Sequence, residues 1–182
     1  MERILITGGS GLLGSNLIKN IDVKKYKVLA PSSDQMDINN KQSVNYFFEK
    51  NKVDLCIHAA ALTNVPEIQK QFKITRDALY TNIVGTVNIL DSCMAKNIKL
   101  CFISTDHVFD GLRGSYNKHD LINPLSKYAK TKAAAELAVR TYENSLVIRT
   151  SFFGNDFPYE KAFIDQWSSK DYIDIMAPKI LK

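Results

Sequence analysis

Tyr128 and Lys132 stand four residues apart in an alanine-rich stretch, Ser126-Lys127-Tyr128-Ala129-Lys130-Thr131-Lys132-Ala133. On a helix that spacing puts both side chains on one face. A phenol titrates at about pH 10 when unperturbed. A neighbouring ammonium, and the positive ring of an oxidised nicotinamide, favour the phenolate and lower that value. The pair therefore predicts a tyrosine able to trade a proton with a carbonyl or an alcohol. Thr105 follows the apolar run Lys99-Leu100-Cys101-Phe102-Ile103-Ser104. That places it at the carboxyl end of a strand, where an open α/β sheet gathers its ligands. Thr105, Tyr128 and Lys132 are the expected catalytic residues. Taken alone, the tyrosine and lysine read first as a solvated helix face.

A second reactive stretch opens the chain, where Ile4-Leu5-Ile6-Thr7 runs into Gly8-Gly9-Ser10-Gly11-Leu12-Leu13-Gly14. The apolar run reads as a buried parallel strand. Gly8, Gly11 and Gly14 serve a tight turn, a close approach to a pyrophosphate and close helix packing. The N–H groups at the start of the following helix face the phosphates. Gly8, Ser10, Gly11, Leu12, Leu13 and Gly14 are thus expected to cradle a dinucleotide.

These sites need a frame. Further strands are expected at Tyr26–Ala30, Val53–His58, Lys99–Ser104 and Ser145–Arg149, with helices over Lys41–Lys50, Thr75–Asn97 and Ser126–Tyr142. Five strands alternating with helices predict an α/β, doubly wound parallel sheet, the Rossmann fold. After the second strand come Pro31-Ser32-Ser33, with no acid where one commonly binds the ribose of NAD. Ser32 and Ser33 suit a 2′-phosphate, so NADP(H) is favoured over NAD(H), unless Asp34 turns to the ribose. Asp37 and Ile38 lie against the adenine, or Asp37 caps the next helix. Ala59, Ala60 and Ala61 are small enough for a cofactor to pass. Thr63 and Val65 lie in a loop placed to meet substrate. His58 reads as a buried, hydrogen-bonded histidine, and Gly85 as a point of close helix packing.

At 182 residues, 45% of them hydrophobic and with a net charge of +5, the chain has the composition of a globular protein. Its lysines are scattered rather than gathered into a nucleic-acid patch. No run is long enough to span a membrane, and the start lacks a signal peptide's order. Cys56, Cys93 and Cys101 are odd in number and lack metal spacing, so reduced thiols in a cytoplasmic protein are expected, with no metal site.

Several stretches together resemble the extended short-chain dehydrogenase/reductases, and most closely the dTDP-4-dehydrorhamnose reductase branch. They are Thr7 to Gly14, His58-Ala59-Ala60-Ala61, Asn82-Ile83-Val84-Gly85-Thr86, Ser104-Thr105-Asp106-His107-Val108-Phe109-Asp110-Gly111, Tyr128 to Lys132 and Arg149-Thr150-Ser151. The resemblance implies NAD(P)H-dependent reduction of a 4-keto group on a nucleotide-activated deoxysugar. Tyr128 would supply the proton, Lys132 would hold the nicotinamide ribose, and Thr105 would bond the carbonyl oxygen. Asn82 joins the cofactor set, and Asp106, His107 and Ser151 join Thr63, Val65 and Thr105 on the substrate. His107 stands where the branch usually has tyrosine, and the loop from Thr63 lacks the branch's Val-Asp-Lys run.

Residues 1–150 are expected to form the dinucleotide domain and 151–182 the start of an incomplete substrate lobe. Phe152, Phe153, Phe157, Tyr159, Phe163, Trp167 and Tyr172 make that tail strongly aromatic, with a short helix near Lys161–Trp167 and a strand at Tyr172–Ile175. Such a set asks for cover from a second copy, a partner chain or the dinucleotide domain itself. Two other readings stand beside the reductase: a nucleotide-sugar epimerase or dehydratase, and a non-catalytic cofactor-binding regulatory subunit.

Overall fold

The apolar strand residues sort themselves by a period of two. Leu5, Cys56, Leu100 and Phe102 point into one apolar layer with Val44, Phe48, Ile89 and Val139. Ile4, Ile6, Ile57, Cys101 and Ile103 point into the other with Leu13, Leu17 and Ile173. Strands buried on both faces need helices on both faces, and the sequence supplies them. The computed structural model describes residues 1–154 and 169–182.

Five parallel strands form the central sheet in the order β2-β1-β3-β4-β5. They are β1 (Glu2–Thr7), β2 (Tyr26–Leu29), β3 (Leu55–His58), β4 (Lys99–Ser104) and β5 (Ser145–Arg149). The helices α1 (Leu12–Asn20), α2 (Lys41–Lys50), α3 (Val65–Lys70), α4 (Phe72–Leu79), α5 (Gly85–Ala95) and α6 (Lys127–Val139) cover it. The chain leaves β1 towards β2 and then crosses back to β3 on the other side of β1. That reversal opens a crevice at the carboxyl ends of β1 and β3, the usual ligand position of this Rossmann fold.

The helix expected over Thr75–Asn97 is one axis with a widened middle. Between α4 and α5 lies a π-helical turn, Tyr80–Val84. Thr86 Oγ1 donates to the Asn82 carbonyl at 2.7 Å within it, and π turns of this kind gather at functional sites. Just beyond α5, Asn97 takes φ 51°; such a left-handed residue stops a helix. A Cβ on Gly85 would come within 2.8 Å of Ile38 Cδ1, which is the close packing expected there. Asp37 does not cap α2. Asn40 does, accepting from Gln42 N and Ser43 N at 3.0 and 3.2 Å, while Asp37 accepts from Asn39 N.

The tail differs from expectation at Tyr172–Ile175. A strand pair, β6 (Phe152–Phe153) and β7 (Asp171–Tyr172), ends there, and α7 (Ile173–Ile180) begins at once. Ile173 and Ala177, one turn apart, are fully buried against Leu13 and Leu17 of α1. Helical spacing of the apolar residues outweighs their β-propensity because α1 offers a face to cover. Phe157, Tyr159, Phe163, Trp167 and the helix expected at Lys161–Trp167 lie outside the described residues.

Candidate active site

The glycine loop turns directly off β1. Gly8 has φ 71°, in the left-handed region, and a Cβ there would lie 2.8 Å from the Ala60 backbone. A Cβ on Gly14 would sit 2.1 Å from the Gly8 carbonyl, so α1 lies on the loop with no room for a side chain. Gly11 differs: beyond the Gly8 carbonyl, at 3.2 Å, a Cβ there meets nothing within 4 Å. It is the N-cap of α1, with no side-chain acceptor on the first turn and no acidic residue in it. Free helix N–H groups beside an open glycine are what a pyrophosphate needs. The residues fit a dinucleotide. Leu12 is exposed, whereas Leu13 turns into the core and offers only its backbone.

Along the same sheet edge, Ala59–Ala61 follow β3 and Thr105 follows β4. With strands about 4.8 Å apart, Thr105 lies two strand spacings from the glycine loop. Ser32 and Ser33 are exposed at the end of β2, in a turn where Gln35 N and Met36 N donate to the Ser32 carbonyl at 3.1 and 2.9 Å. Ile38, expected beside the adenine, has its side chain in the core against Gly85 and offers a ligand only its backbone.

Tyr128 and Lys132 emerge from the first turns of α6, whose N-cap Ser126 accepts from Ala129 N at 3.1 Å. Thr105 is buried, and its hydroxyl acts on the Tyr128 phenol. Lys132 is 3% exposed; its Nζ donates to the Ile103 carbonyl at 2.7 Å and lies 4.2 Å from the centre of the Phe102 ring. Burial pushes the ammonium down to about 7, against the pull of the Glu136 carboxylate.

The phenol behaves otherwise than its spacing from a lysine predicts. Burial pushes Tyr128 up to about 12; the Thr105 hydrogen bond pulls the other way, and the Asp106 charge adds to the rise. Desolvation of the phenolate dominates, and Lys132 is turned inward to Ile103 and Phe102.

Asp106 gathers the expected substrate residues. Its Oδ1 accepts from Ser151 Oγ at 2.6 Å and from Thr105 Oγ1 at 3.3 Å, and lies 3.9 Å from His107 Nε2. The His107 ring meets Tyr128 edge-on with centroids 6.2 Å apart. A cleft of about 1020 Å³ opens beside them, lined by Asp106, His107, Phe109, Tyr116, Ser126 and Arg149 among others. Thr63 and Val65 are brought towards α6 indirectly. Asn82 Nδ2 donates to Leu62 O at 3.0 Å and to Thr131 Oγ1 at 2.9 Å, while its Oδ1 accepts from Leu62 N at 2.8 Å. Fully buried and fully engaged, Asn82 holds the loop in place rather than presenting its side chain to a ligand.

His58 is a core residue, as expected. Thr86 spends its hydroxyl proton on Asn82, so His58 Nε2–H donates to Thr86 Oγ1 at 3.0 Å, and Thr7 Oγ1 donates to Nδ1 at 2.6 Å. The tautomer is assigned from this network. Burial, with Lys132 nearby, pushes the imidazole down to about 3, so it stays neutral. Sequence reasoning missed Glu136. It is fully buried, accepting from Ser104 Oγ at 2.7 Å, Arg149 Nη2 at 2.6 Å and Arg140 Nη2 at 2.9 Å. Its spacing from Lys132 and Arg140, four residues each way, was the available signal. All three cysteines are free and buried, and among the described residues no helix is long and apolar enough to cross a membrane.

The molecule is similar to known proteins along its whole length. A dTDP-4-dehydrorhamnose reductase of Aggregatibacter actinomycetemcomitans is 33% identical over 187 residues, covering 99% of this chain and 62% of that protein. The solved dTDP-4-dehydrorhamnose reductase of Clostridium acetobutylicum, 28% identical, superposes with a TM-score of 0.88 over 98% of this chain and 69% of its own. That of Bacillus anthracis, solved in complex with NADP, is 29% identical with a TM-score of 0.80 over 86% of this chain and 56% of its own. The chain spans 62%, 53% and 49% of the length of three curated relatives. The family model described as the RmlD substrate binding domain matches residues 1–177, from the glycine loop through Tyr128 and Lys132 into α7, and the chain belongs to that family.

Proposed function

We propose that this chain carries the cofactor-binding and acid–base machinery of an NADPH-dependent reductase acting on a 4-keto nucleotide-deoxysugar. The observation that carries the reading is the placing of Thr105 beside Tyr128 on the sheet edge that also holds the open glycine cradle. The substrate class is supported by the names of the relatives.

In this reading Gly8, Gly11 and Gly14 hold the pyrophosphate, and Ser32 and Ser33 favour a 2′-phosphate. When bound, the nicotinamide supplies a hydride. Thr105 hydrogen-bonds the substrate carbonyl oxygen while Tyr128 delivers its Oη proton to that oxygen. Lys132 would hold the nicotinamide ribose once its Nζ turns from the Ile103 carbonyl. Asp106, His107 and Ser151 face the sugar from one side, and Thr63 and Val65 from the other. Residues 151–182 begin the substrate lobe, with α7 anchoring it to α1.

The test is incubation with NADPH and a panel of 4-keto nucleotide-sugars, following absorbance of the reduced nicotinamide. Turnover that Tyr128→Phe removes while calorimetry still shows NADPH binding supports the reading. Binding without turnover across the panel overturns it in favour of a regulatory subunit. Gly11→Val should abolish NADPH binding, and unchanged affinity would remove the cradle from the account.

A further inference from the structure

A tyrosine that gives its proton to substrate must recover one before the next turnover. Tyr128 is only partly exposed, and the other titratable group on its face of α6, Lys132, points inward to Ile103 O. A second route leads outward. The Thr105 hydroxyl acts on the Tyr128 phenol on one side and donates to Asp106 Oδ1, at 3.3 Å, on the other. Its single hydroxyl proton can turn from the carboxylate to a phenolate. Asp106 Oδ1 lies 3.9 Å from His107 Nε2, a gap closed by a ring rotation or one bridging water. The His107 side chain is 41% exposed, so the far end of the chain reaches solvent.

We propose that His107 returns a proton to Tyr128 through Asp106 and Thr105. The inference rests on the reading of Tyr128 as proton donor. The imidazolium gives its Nε2 proton to Asp106 Oδ1. Asp106 passes a proton to Thr105 Oγ1 as the Thr105 hydroxyl proton moves to the phenolate Oη. Neutral imidazole then takes a proton from water. One proton enters and one reaches Tyr128; no bond between heavy atoms changes. Ser151 Oγ, at 2.6 Å, keeps the carboxylate in place throughout. Among the described residues, the charged groups around the cleft are Asp106 and Asp110 after β4, Lys118 in the following loop, Arg140 on α6, Arg149 on β5 and Lys170 beyond it. Asp110 is held by Tyr116, Leu112 N and Asn123, and Arg140 and Arg149 by Glu136. Of these two aspartates, Asp106 is the one that bonds Thr105.

The test reads the proton directly. Hydrogen exchange of the Tyr128 hydroxyl is followed by NMR of protein labelled at tyrosine Cζ, with Tyr128→Phe giving the assignment. His107→Ala and His107→Gln should each slow exchange at least about tenfold, and added imidazole should restore it in His107→Ala. Wild-type exchange in His107→Ala overturns the relay, and so does slowed exchange that imidazole leaves slow, since that marks a packing role. In turnover, kcat should fall about tenfold beyond any change in KM, and added imidazole should restore it in His107→Ala. If no protein turns over, the reductase reading falls, while the exchange measurement still decides the relay.

Discussion

Helix α6 carries two buried charged groups one turn apart, and they are treated in opposite ways. Glu136 is surrounded by donors: Ser104, Arg149 in a two-pronged contact, and Arg140. Burial raises its carboxyl, but the hydrogen bonds and the two guanidinium charges outweigh this and hold it below the ordinary carboxylate range. Lys132, four residues earlier, has one carbonyl and one aromatic face. Burial wins there, and the ammonium falls to about 7. A buried charge with every valence filled ties elements together, here α6 to β4 and β5. A buried charge left short of partners is a strained group that the fold tolerates, and such groups mark functional sites.

The largest effect should come from emptying the satisfied site. Glu136→Ala leaves Arg149 buried without its partner and should destabilise the chain by roughly 3–5 kcal/mol, read from the urea midpoint. An unchanged midpoint would erase the contrast. Tyr128→Phe should lower kcat by about 10²–10⁴ while moving stability by less than about 1 kcal/mol; a large stability loss would put Tyr128 with Glu136. Lys132→Met should act with the opposite sign, stabilising by about 1 kcal/mol while weakening NADPH binding in calorimetry.

The same site gives a pH signature. Lys132 loses its proton near 7 when folded and near 10.4 when unfolded, so the unfolded state binds more protons between those values. Stability should rise with pH across that window in the wild type, and Lys132→Met should lack the rise. The smallest effect near neutrality belongs to His58, held at about 3 in the fold. As pH falls from about 6.5 towards 3, the unfolded chain takes up a proton the fold refuses, at most about 1.4 kcal/mol per pH unit. His58→Gln should flatten that slope, as followed by thermal melts from pH 6 to 4. An unchanged slope would place the acid sensitivity elsewhere.

Much of the frame was legible in the residues. Lys41–Lys50, Lys99–Ser104 and Ser145–Arg149 begin and end where turn residues and apolar runs say they should. The glycine loop was legible because its geometry leaves few substitutes: φ 71° at Gly8 and a 2.1 Å clash at Gly14. Less was legible where the deciding partner is distant in sequence. Ile173 reads as strand in the sequence and is helical because α1 supplies the surface it covers, and the capping role fell to Asn40 rather than Asp37.

By itself, then, the sequence determined the strand–helix alternation, the glycine turn off β1, and which elements carry Thr105, Tyr128 and Lys132, because each rests on local spacing or backbone conformation. Only the tertiary structure decided their electrostatics. Whether Lys132 lowers the Tyr128 phenol depends on where Nζ turns and how much water remains, and the fold turns Nζ to Ile103 O and buries the phenol. The bonds Asn82–Leu62, Asp106–Ser151 and Glu136–Arg149 join residues 13 to 45 positions apart. Desolvation and long-range hydrogen bonding are properties of the packed chain, and no residue carries them alone.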